Sequence, residues 1–356
     1  MLWTGGYQAL LFRRGHSLDQ ARLTRAAIAH WRELTAACEQ ALGPGHPDTV
    51  TASDRLAGAT LAGGLGPEAV ELYQRAVAAR TRAAGPDHPG TVAARADLGS
   101  ALLTAGRYDD AIDVLEDVLQ ARARILGPDD PGTLKTTDDL VAAYLAAGRY
   151  PEAIRLGRRA LTDREQRQGP GHPGTIAARE TLASACLAAG RPKDAVAHYR
   201  RALSDRERSC GPDDPATIAT VRALAGAHHA ARRLREALPL YERALRDLER
   251  VQGPDHPDTL GARGNLASAY HSTGRMATAL ELYERSRADC QRVLGPYHPD
   301  TLAAQANLAH AWYAMGRGDE ALALLQATLA DCERVLPPGD QLTTAVRESL
   351  AAVERG

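Results

Sequence analysis

Histidine and asparagine are the side chains of this sequence whose types and spacing could do chemistry. His229 and His271 stand 42 residues apart, and His310 lies close to the next position of the same series. Three imidazoles on neighbouring helices could ligate zinc or copper, or could form a pH-sensitive polar surface. The spacing of neighbouring helices makes it difficult for the three rings to reach one ion, and no carboxylate shares the series. We therefore predict no metal site, and we keep a metal site and a pH-sensitive surface as less favoured alternatives.

A second set of histidines recurs in a loop motif, Gly-Pro-x-His-Pro. Five of the twelve histidines belong to it, and aspartate takes their place in two further copies. Equivalent positions in stacked repeats would lie about 10 Å apart, which is too far for shared metal ligands. We therefore expect each of these side chains to hydrogen-bond its adjacent turn. They are His46, His88, Asp130, His172, Asp214, His256 and His298.

Motifs for catalysis are missing from the sequence. It has no Gly-x-x-x-x-Gly-Lys-Ser/Thr phosphate loop, no His-Glu-x-x-His pair and no Gly-x-Ser-x-Gly elbow. The five cysteines form no Cys-x-x-Cys pair, which disfavours a disulfide framework and a thiolate zinc site. We predict a non-enzymatic protein without a cofactor, in a reducing cytoplasm.

Charge and hydropathy limit the classes of partner. The 43 basic and 44 acidic residues give a net charge of −1, whereas a nucleic-acid binder needs a positive face. No apolar stretch approaches the roughly 18 residues of a membrane-spanning helix. Only two of the basic residues are lysines, a usage typical of a GC-rich genome such as that of an actinobacterium.

A repeat of fixed length positions these side chains. Gly-Pro recurs seven times at intervals of 42 residues, with Pro, Thr and Leu in fixed register behind it. In the second repeat, apolar residues follow a helical period from Val92 to Leu103 and again from Ala111 to Leu119. Each repeat is therefore predicted to hold two helices, A and B, joined by a turn at a residue such as Gly106. We expect the recurring Thr, or the residue before it, to cap helix A.

The segment from Leu140 to Ala153, with Tyr144, Gly148 and Tyr150 between them, resembles the tetratricopeptide repeat. The 42-residue period and the loop Leu-Gly-Pro-Asp-Asp-Pro resemble the variant of this repeat found in kinesin light chains. The resemblance implies an all-α fold, a right-handed α-solenoid or superhelix of antiparallel helix pairs. It also implies a binding platform, since this fold serves many clients.

Both ends of the chain depart from the repeat. We expect a degenerate N-terminal repeat in residues 1–42, seven repeats in 43–336 and a capping helix in 337–356. In the last segment Leu342, Val346, Leu350 and Val353 form an apolar stripe, which would cover the final B helix.

By the resemblance, certain positions of helix A face the concave groove of the superhelix. Asn265 and Asn307 directly precede the recurring leucine, where repeats of this family commonly use asparagine to bind a ligand's main chain. An amide suits this role because it both donates and accepts hydrogen bonds. The candidate groove residues are Lys135, Asp139, Arg222, His229, Asn265, Ser268, His271, Asn307, His310 and Tyr313.

The leading interpretation is a scaffold that binds a protein or peptide partner in this groove. One alternative is a sensor, either a regulatory subunit or the arm of a bacterial signalling ATPase or transcriptional regulator. A less favoured alternative is an enzyme that uses the His-rich end of the groove. We expect no nucleic-acid partner and no membrane partner, and a homo-oligomer is not predicted.

The charge balance yields a direct test. We expect no DNA or RNA binding above background, because a near-neutral chain cannot release many counterions from a phosphate backbone. An electrophoretic mobility shift titration at low and high salt measures this. Low-micromolar retardation that weakens steeply with salt would contradict it.

Overall fold

The computed structural model describes residues 5–21, 23–337 and 339–355, which form 17 α-helices and no strand. The helices are α1 (Gly5–Gln20), α2 (Thr24–Leu42), α3 (Pro47–Ala62), α4 (Gly66–Ala84), α5 (Pro89–Thr104), α6 (Tyr108–Ile125), α7 (Pro131–Ala146), α8 (Tyr150–Gln168), α9 (Pro173–Ala188), α10 (Pro192–Ser209), α11 (Pro215–Ala230), α12 (Leu234–Val251), α13 (Pro257–Ser272), α14 (Met276–Leu294), α15 (Pro299–Ala314), α16 (Gly318–Val335) and α17 (Gln341–Glu354).

The helices form two compact units, and the division falls within α8, between Asp163 and Arg164. In unit 1 each helix from α1 to α7 packs against its neighbours in sequence, and in unit 2 the same holds from α9 to α17. Helices that begin after the long loop, such as α13 and α15, also contact one another. Packing between chain neighbours is the arrangement of an α-solenoid, so the predicted fold class is confirmed.

Helix A begins in every repeat at the recurring proline, and the residue before that proline is the N-cap. His256 is the N-cap of α13, and its Nδ1 accepts a hydrogen bond of 3.1 Å from the backbone N–H of Asp258. Asp130 caps α7 by accepting from the N–H groups of Gly132 and Thr133. The expectation that the loop side chains bond the adjacent turn is therefore confirmed.

The expected capping position itself is wrong. The recurring threonine lies three residues inside helix A, where it is buried and cannot be the N-cap. In four repeats its hydroxyl instead donates backwards across the loop, as in Thr259, whose Oγ1 lies 2.8 Å from the carbonyl oxygen of Gly253. Proline at the first helical position fixes φ, which moves the cap one residue upstream to His or Asp.

Chain reversal between helices A and B depends on left-handed backbone. Gly106 adopts φ 74° in the turn between α5 and α6, in the conformation that the sequence predicts for this position. Arg232 occupies the corresponding turn after α11 with φ 58°, and it is the one described non-glycine residue with positive φ. Most side chains avoid this region because the Cβ atom crowds the backbone.

The core follows the helical stripes. The recurring leucine is buried in every repeat, and small alanines on the facing B helix allow close approach, as at Ala111 and Ala237. Towards the N-terminus, Trp31 of α2 is fully buried, and its indole N–H donates to the carboxylate of Asp19 in α1. Phe12 meets the same indole edge-on with ring centroids 5.7 Å apart.

Helix α17 follows the last B helix. Val346 is 1% exposed and lies in one cluster with Leu302 and Leu325, while Leu342, Leu350 and Val353 pack around that cluster partly buried. The role of α17 as a cap, and the division into 1–42, 43–336 and 337–356, remain predictions.

This packing predicts that α17 stabilises the last repeat. Replacing Val346 with Asp would bury an unpaired charge, and we expect unfolding free energy to fall by at least about 2 kcal/mol. Urea unfolding followed by circular dichroism measures the change. The matched control is Glu348→Asp on the exposed side of the same helix, which should change little. Equal stability of the two variants would contradict the capping role.

Candidate functional site

The loop histidines are engaged with the backbone. His88, His172 and His298 each accept a hydrogen bond from the N–H group two residues on, at 3.1 to 3.2 Å. Within the described ranges, no group of three or more His, Cys, Asp or Glu side chains is placed to hold a metal ion. These loops therefore act as structural elements.

The buried cysteines also lack features of a reactive site. Cys38, Cys290 and Cys332 share one register near the end of a B helix and are at most 3% exposed. Burial raises the pKa of all three thiols, so they stay protonated at neutral pH. They pack in the core.

The ten candidate groove residues fall into two groups. Lys135 and Asp139 belong to α7 in unit 1, where they pair with each other at 2.6 Å between Nζ and Oδ2. The other eight lie in unit 2, on α11, α13 and α15. We call this set of eight the A face: Arg222, His229, Asn265, Ser268, His271, Asn307, His310 and Tyr313.

Some members of the A face already have intramolecular partners. Arg222 Nη1 lies 3.3 Å from Asp258 Oδ1, which links α11 to α13. His229 Nε2 lies 3.0 Å from the hydroxyl of Ser272, and its ring meets Tyr241 edge-on. Burial and the charge of a neighbouring arginine lower the pKa of His229, so its ring is neutral at pH 7. These contacts fix the positions of Arg222 and His229 on the A face.

The two asparagines differ from them. Asn265 and Asn307 are exposed on α13 and α15, and neither has a hydrogen-bond partner among residues 5–21, 23–337 and 339–355. They occupy the same register in successive repeats, on helices that contact each other. Tyr313 is 38% exposed on α15. Two free side-chain amides, with an exposed aromatic side chain on one of the same helices, can bind a polar ligand without rearranging the fold.

His271 and His310 come close enough to influence one another. Partial removal of water and the nearby charge of His271 lower the pKa of His310, although its ring keeps solvent contact. The neutral ring can both donate and accept a hydrogen bond at pH 7. No carboxylate contributes to the shift of His310, so this ring lacks the acidic partner that would make it a stronger base.

Buried ion pairs were missed by sequence reasoning. Arg179 is 2% exposed and binds Glu165 at 2.6 Å and Asp205 at 2.9 Å, joining three successive helices of unit 2. Arg263 repeats this arrangement with Glu249 and Asp289. The signal was present in the sequence, because in both cases a glutamate stands 14 residues before the arginine and an aspartate 26 after it.

A model of the tetratricopeptide repeat matches residues 52–124, 102–166, 158–208, 181–250, 216–286 and 258–334, which together cover well over half of the sequence. The chain belongs to the tetratricopeptide repeat family. The predicted resemblance is thereby confirmed. No curated protein matches the sequence significantly. No helix in the described part of the chain is long and apolar enough to cross a membrane.

Several solved structures of other proteins are similar to this chain. The crystal structure of nearly identical kinesin light chain TPR-like repeats from Podosopora anserina is 27% identical, with a TM-score of 0.52 over 59% of this chain and 100% of that one. A Rap protein complexed with Competence and Sporulation Factor is 12% identical, with a TM-score of 0.54 over 98% of each chain.

A third structure is a Signal Transduction ATPase with Numerous Domains from Pyrococcus horikoshii, which has a tetratricopeptide repeat sensor. It is 12% identical, with a TM-score of 0.58, and the match covers 99% of this chain and 50% of that one. At these identities the Rap and ATPase structures show a shared fold.

The lowered pKa of His310 predicts a pH dependence in this tetratricopeptide repeat array. Below about pH 6.5 the unfolded chain takes up a proton that the native ring resists, so stability falls as the solution is acidified. His310→Gln removes this contribution and should lose less stability between pH 7 and pH 5. Because the ring is partly hydrated, we expect a difference below about 1 kcal/mol in urea unfolding. Identical pH profiles for the variant and the wild type would contradict the shift.

Proposed function

We propose that this protein is a non-enzymatic scaffold that binds an extended segment of a partner protein or peptide on the A face. The observation that carries the proposal is the pair Asn265 and Asn307, two exposed side-chain amides in one register of adjacent repeats that have no hydrogen-bond partner among the residues that the structure describes. Each amide can accept from a main-chain N–H and donate to a main-chain carbonyl group. Such contacts hold a backbone irrespective of its sequence.

The other members of the A face supply selectivity. Tyr313 offers an exposed aromatic ring, a side chain enriched among the strongest contributors to binding interfaces. His271 and His310 add polar contacts beside the amides. Arg222 is held by Asp258, so it contributes less free charge than its type suggests.

Lys135 and Asp139 have a smaller part in this proposal. They neutralise each other in unit 1, and an exposed pair of this kind is worth little. A partner that reaches them would have to separate the two charges.

A second proposal is that the scaffold serves as a sensor or regulatory arm. The likeness to the Pyrococcus horikoshii ATPase, which carries a tetratricopeptide repeat sensor, spans 99% of this chain and supports it. The Rap structure, solved as a complex with Competence and Sporulation Factor, has the same fold. A gene for a signalling ATPase beside the gene for this chain, and co-purification of the two products, would favour the sensor over a general scaffold.

We place the protein in the reducing cytoplasm. None of the five cysteines forms a disulfide within the described structure, and four of them are buried, which supports a compartment where thiols stay reduced.

The amide pair gives the test of the proposal. Ligands are selected from a displayed library of random peptides against the full chain, and their affinities are measured by fluorescence anisotropy. Each lost hydrogen bond should cost about 0.5–1.5 kcal/mol, so the double variant Asn265→Ala, Asn307→Ala should bind roughly ten- to a hundredfold more weakly.

The matched control is Glu281→Ala, an exposed residue of α14 without a hydrogen-bond or ion-pair partner in the described structure. It should leave the affinity unchanged. Equal binding by the double variant and the wild type would move the site away from the A face.

A further inference from the structure

A cleft of about 490 Å³ opens in unit 1 between α2, α3 and α4. Glu39 of α2, Ser53 of α3 and Ala79 of α4 all line it. Its volume falls within the range of small-molecule sites, roughly 300–1,000 Å³. It belongs to a different unit from the A face.

The chain itself shows what occupies this position elsewhere. Three repeats further on, the same three register positions are Glu165, Arg179 and Asp205. There the buried guanidinium group fills the space between the helices, and it binds a carboxylate on either side at 2.6 and 2.9 Å.

Two repeats beyond that, the arrangement recurs with Glu249, Arg263 and Asp289. Arg263 is 1% exposed, with Nη2 3.2 Å from the glutamate and Nη1 2.5 Å from the aspartate. In the first repeat the short side chains of Ser53 and Ala79 replace this buried ion pair, and the cleft lies where it would be.

The carboxylate that would bind the guanidinium group is still in place. The side chain of Glu39 has no ion pair or hydrogen bond among the described residues. Four other repeats have glutamate at this register, and each of those carboxylates binds an arginine of the chain. They are Glu165, Glu207, Glu249 and Glu333. Glu39 is thus the member of the series whose counter-ion the described chain does not supply.

A second observation points independently to a polar ligand. Thr35 lines the cleft and is 7% exposed, yet its hydroxyl has no hydrogen-bond partner in the described structure. The equivalent positions in the two arginine-filled repeats are Leu161 and Leu245, both buried. A buried hydroxyl without a partner is unfavourable, so its presence in place of leucine indicates a polar group that comes from outside the chain.

The remaining charges around the cleft are nearly balanced. Arg32 pairs with Glu68 at 2.6 Å, Arg75 lies 4.0 Å from Glu71, and Asp54 pairs with Arg80. Arg82 lines the same cleft without an ion-pair partner within the described residues. The free charges are therefore one carboxylate, that of Glu39, and one guanidinium group, that of Arg82.

We propose that this cleft binds a small guanidinium compound of the arginine type. The guanidinium group of the ligand occupies the position that the side chains of Arg179 and Arg263 occupy in their own repeats. In the cleft it binds the Glu39 carboxylate and lies next to the Thr35 hydroxyl. A planar guanidinium group presents two parallel donors to a carboxylate, which an ammonium group cannot do. A ligand carboxylate finds its counter-ion in Arg82.

Isothermal titration calorimetry of the full chain tests the proposal with three probes. L-arginine should bind, and L-citrulline, which has the same length but no charge, should bind at least about tenfold more weakly. L-lysine should also bind more weakly, since it has a cation without the planar donors. Absence of arginine binding, or equal binding of lysine or citrulline, would overturn the proposal.

Variants locate the binding and separate it from folding. Glu39→Gln should weaken arginine binding at least about tenfold, while Glu33→Gln, on an exposed face of the same helix outside the cleft, should not. Ser53→Arg should abolish binding and raise Tm by at least about 2 °C, because it supplies the missing side chain from within.

If Ser53→Arg does not fold, the Glu39→Gln and Glu33→Gln pair still decides. Unchanged arginine affinity in Glu39→Gln would overturn the assignment. The result is independent of the Asn265 and Asn307 experiment, because the two sites lie in different units.

Discussion

Helix termination by the long loop is the constraint on which the rest of the structure depends. The B helices from α2 to α14 are each followed within two residues by a glycine with φ between 86° and 91°, such as Gly127 or Gly253, and the next A helix begins four residues after that glycine at a capped proline. In four of these loops the threonine hydroxyl donates a hydrogen bond to that glycine's carbonyl oxygen. Because the polar groups of the loop bond one another, every repeat has the same length and the helices stack in register.

Because the register is fixed, only the residues that differ between repeats can give the surface of one repeat a different chemistry from that of the next. Core positions keep leucine and alanine throughout, whereas the exposed face of helix A changes from Asp139 in α7 to Asn265 in α13. Arg232 shows that even the turn can vary, since it takes the left-handed conformation that glycine has in neighbouring repeats. Such a conformation is costly for an arginine and persists because the flanking helices fix both ends of the turn.

The helix pairs were predictable because their period and turn glycines are local properties of the sequence. The partners of side chains were not, since they depend on which residues stacking brings together. Arg222 was expected only as a groove residue, and it pairs with Asp258, 36 residues away on the next A helix. The N-cap was misplaced because the recurring proline and the recurring threonine, two residues apart, each predict a different first residue for helix A. The cleft beside Ser53 could have been predicted by comparing this register position between repeats, but only with the knowledge that the arginine at the same position in other repeats is buried.

If the A face binds an extended ligand, the spacing of the A helices would set the distance between successive contacts. Packed helices lie about 8–10 Å apart, and an extended chain rises about 3.3 Å per residue. Amides one repeat apart, such as Asn265 and Asn307, are therefore in step with every third residue of an extended ligand. In an extended ligand, side chains three residues apart point to opposite sides, so successive contacts would place one side chain towards the protein and the next towards solvent. Recognition by the amides alone would therefore depend on the length and extension of the ligand rather than on its composition.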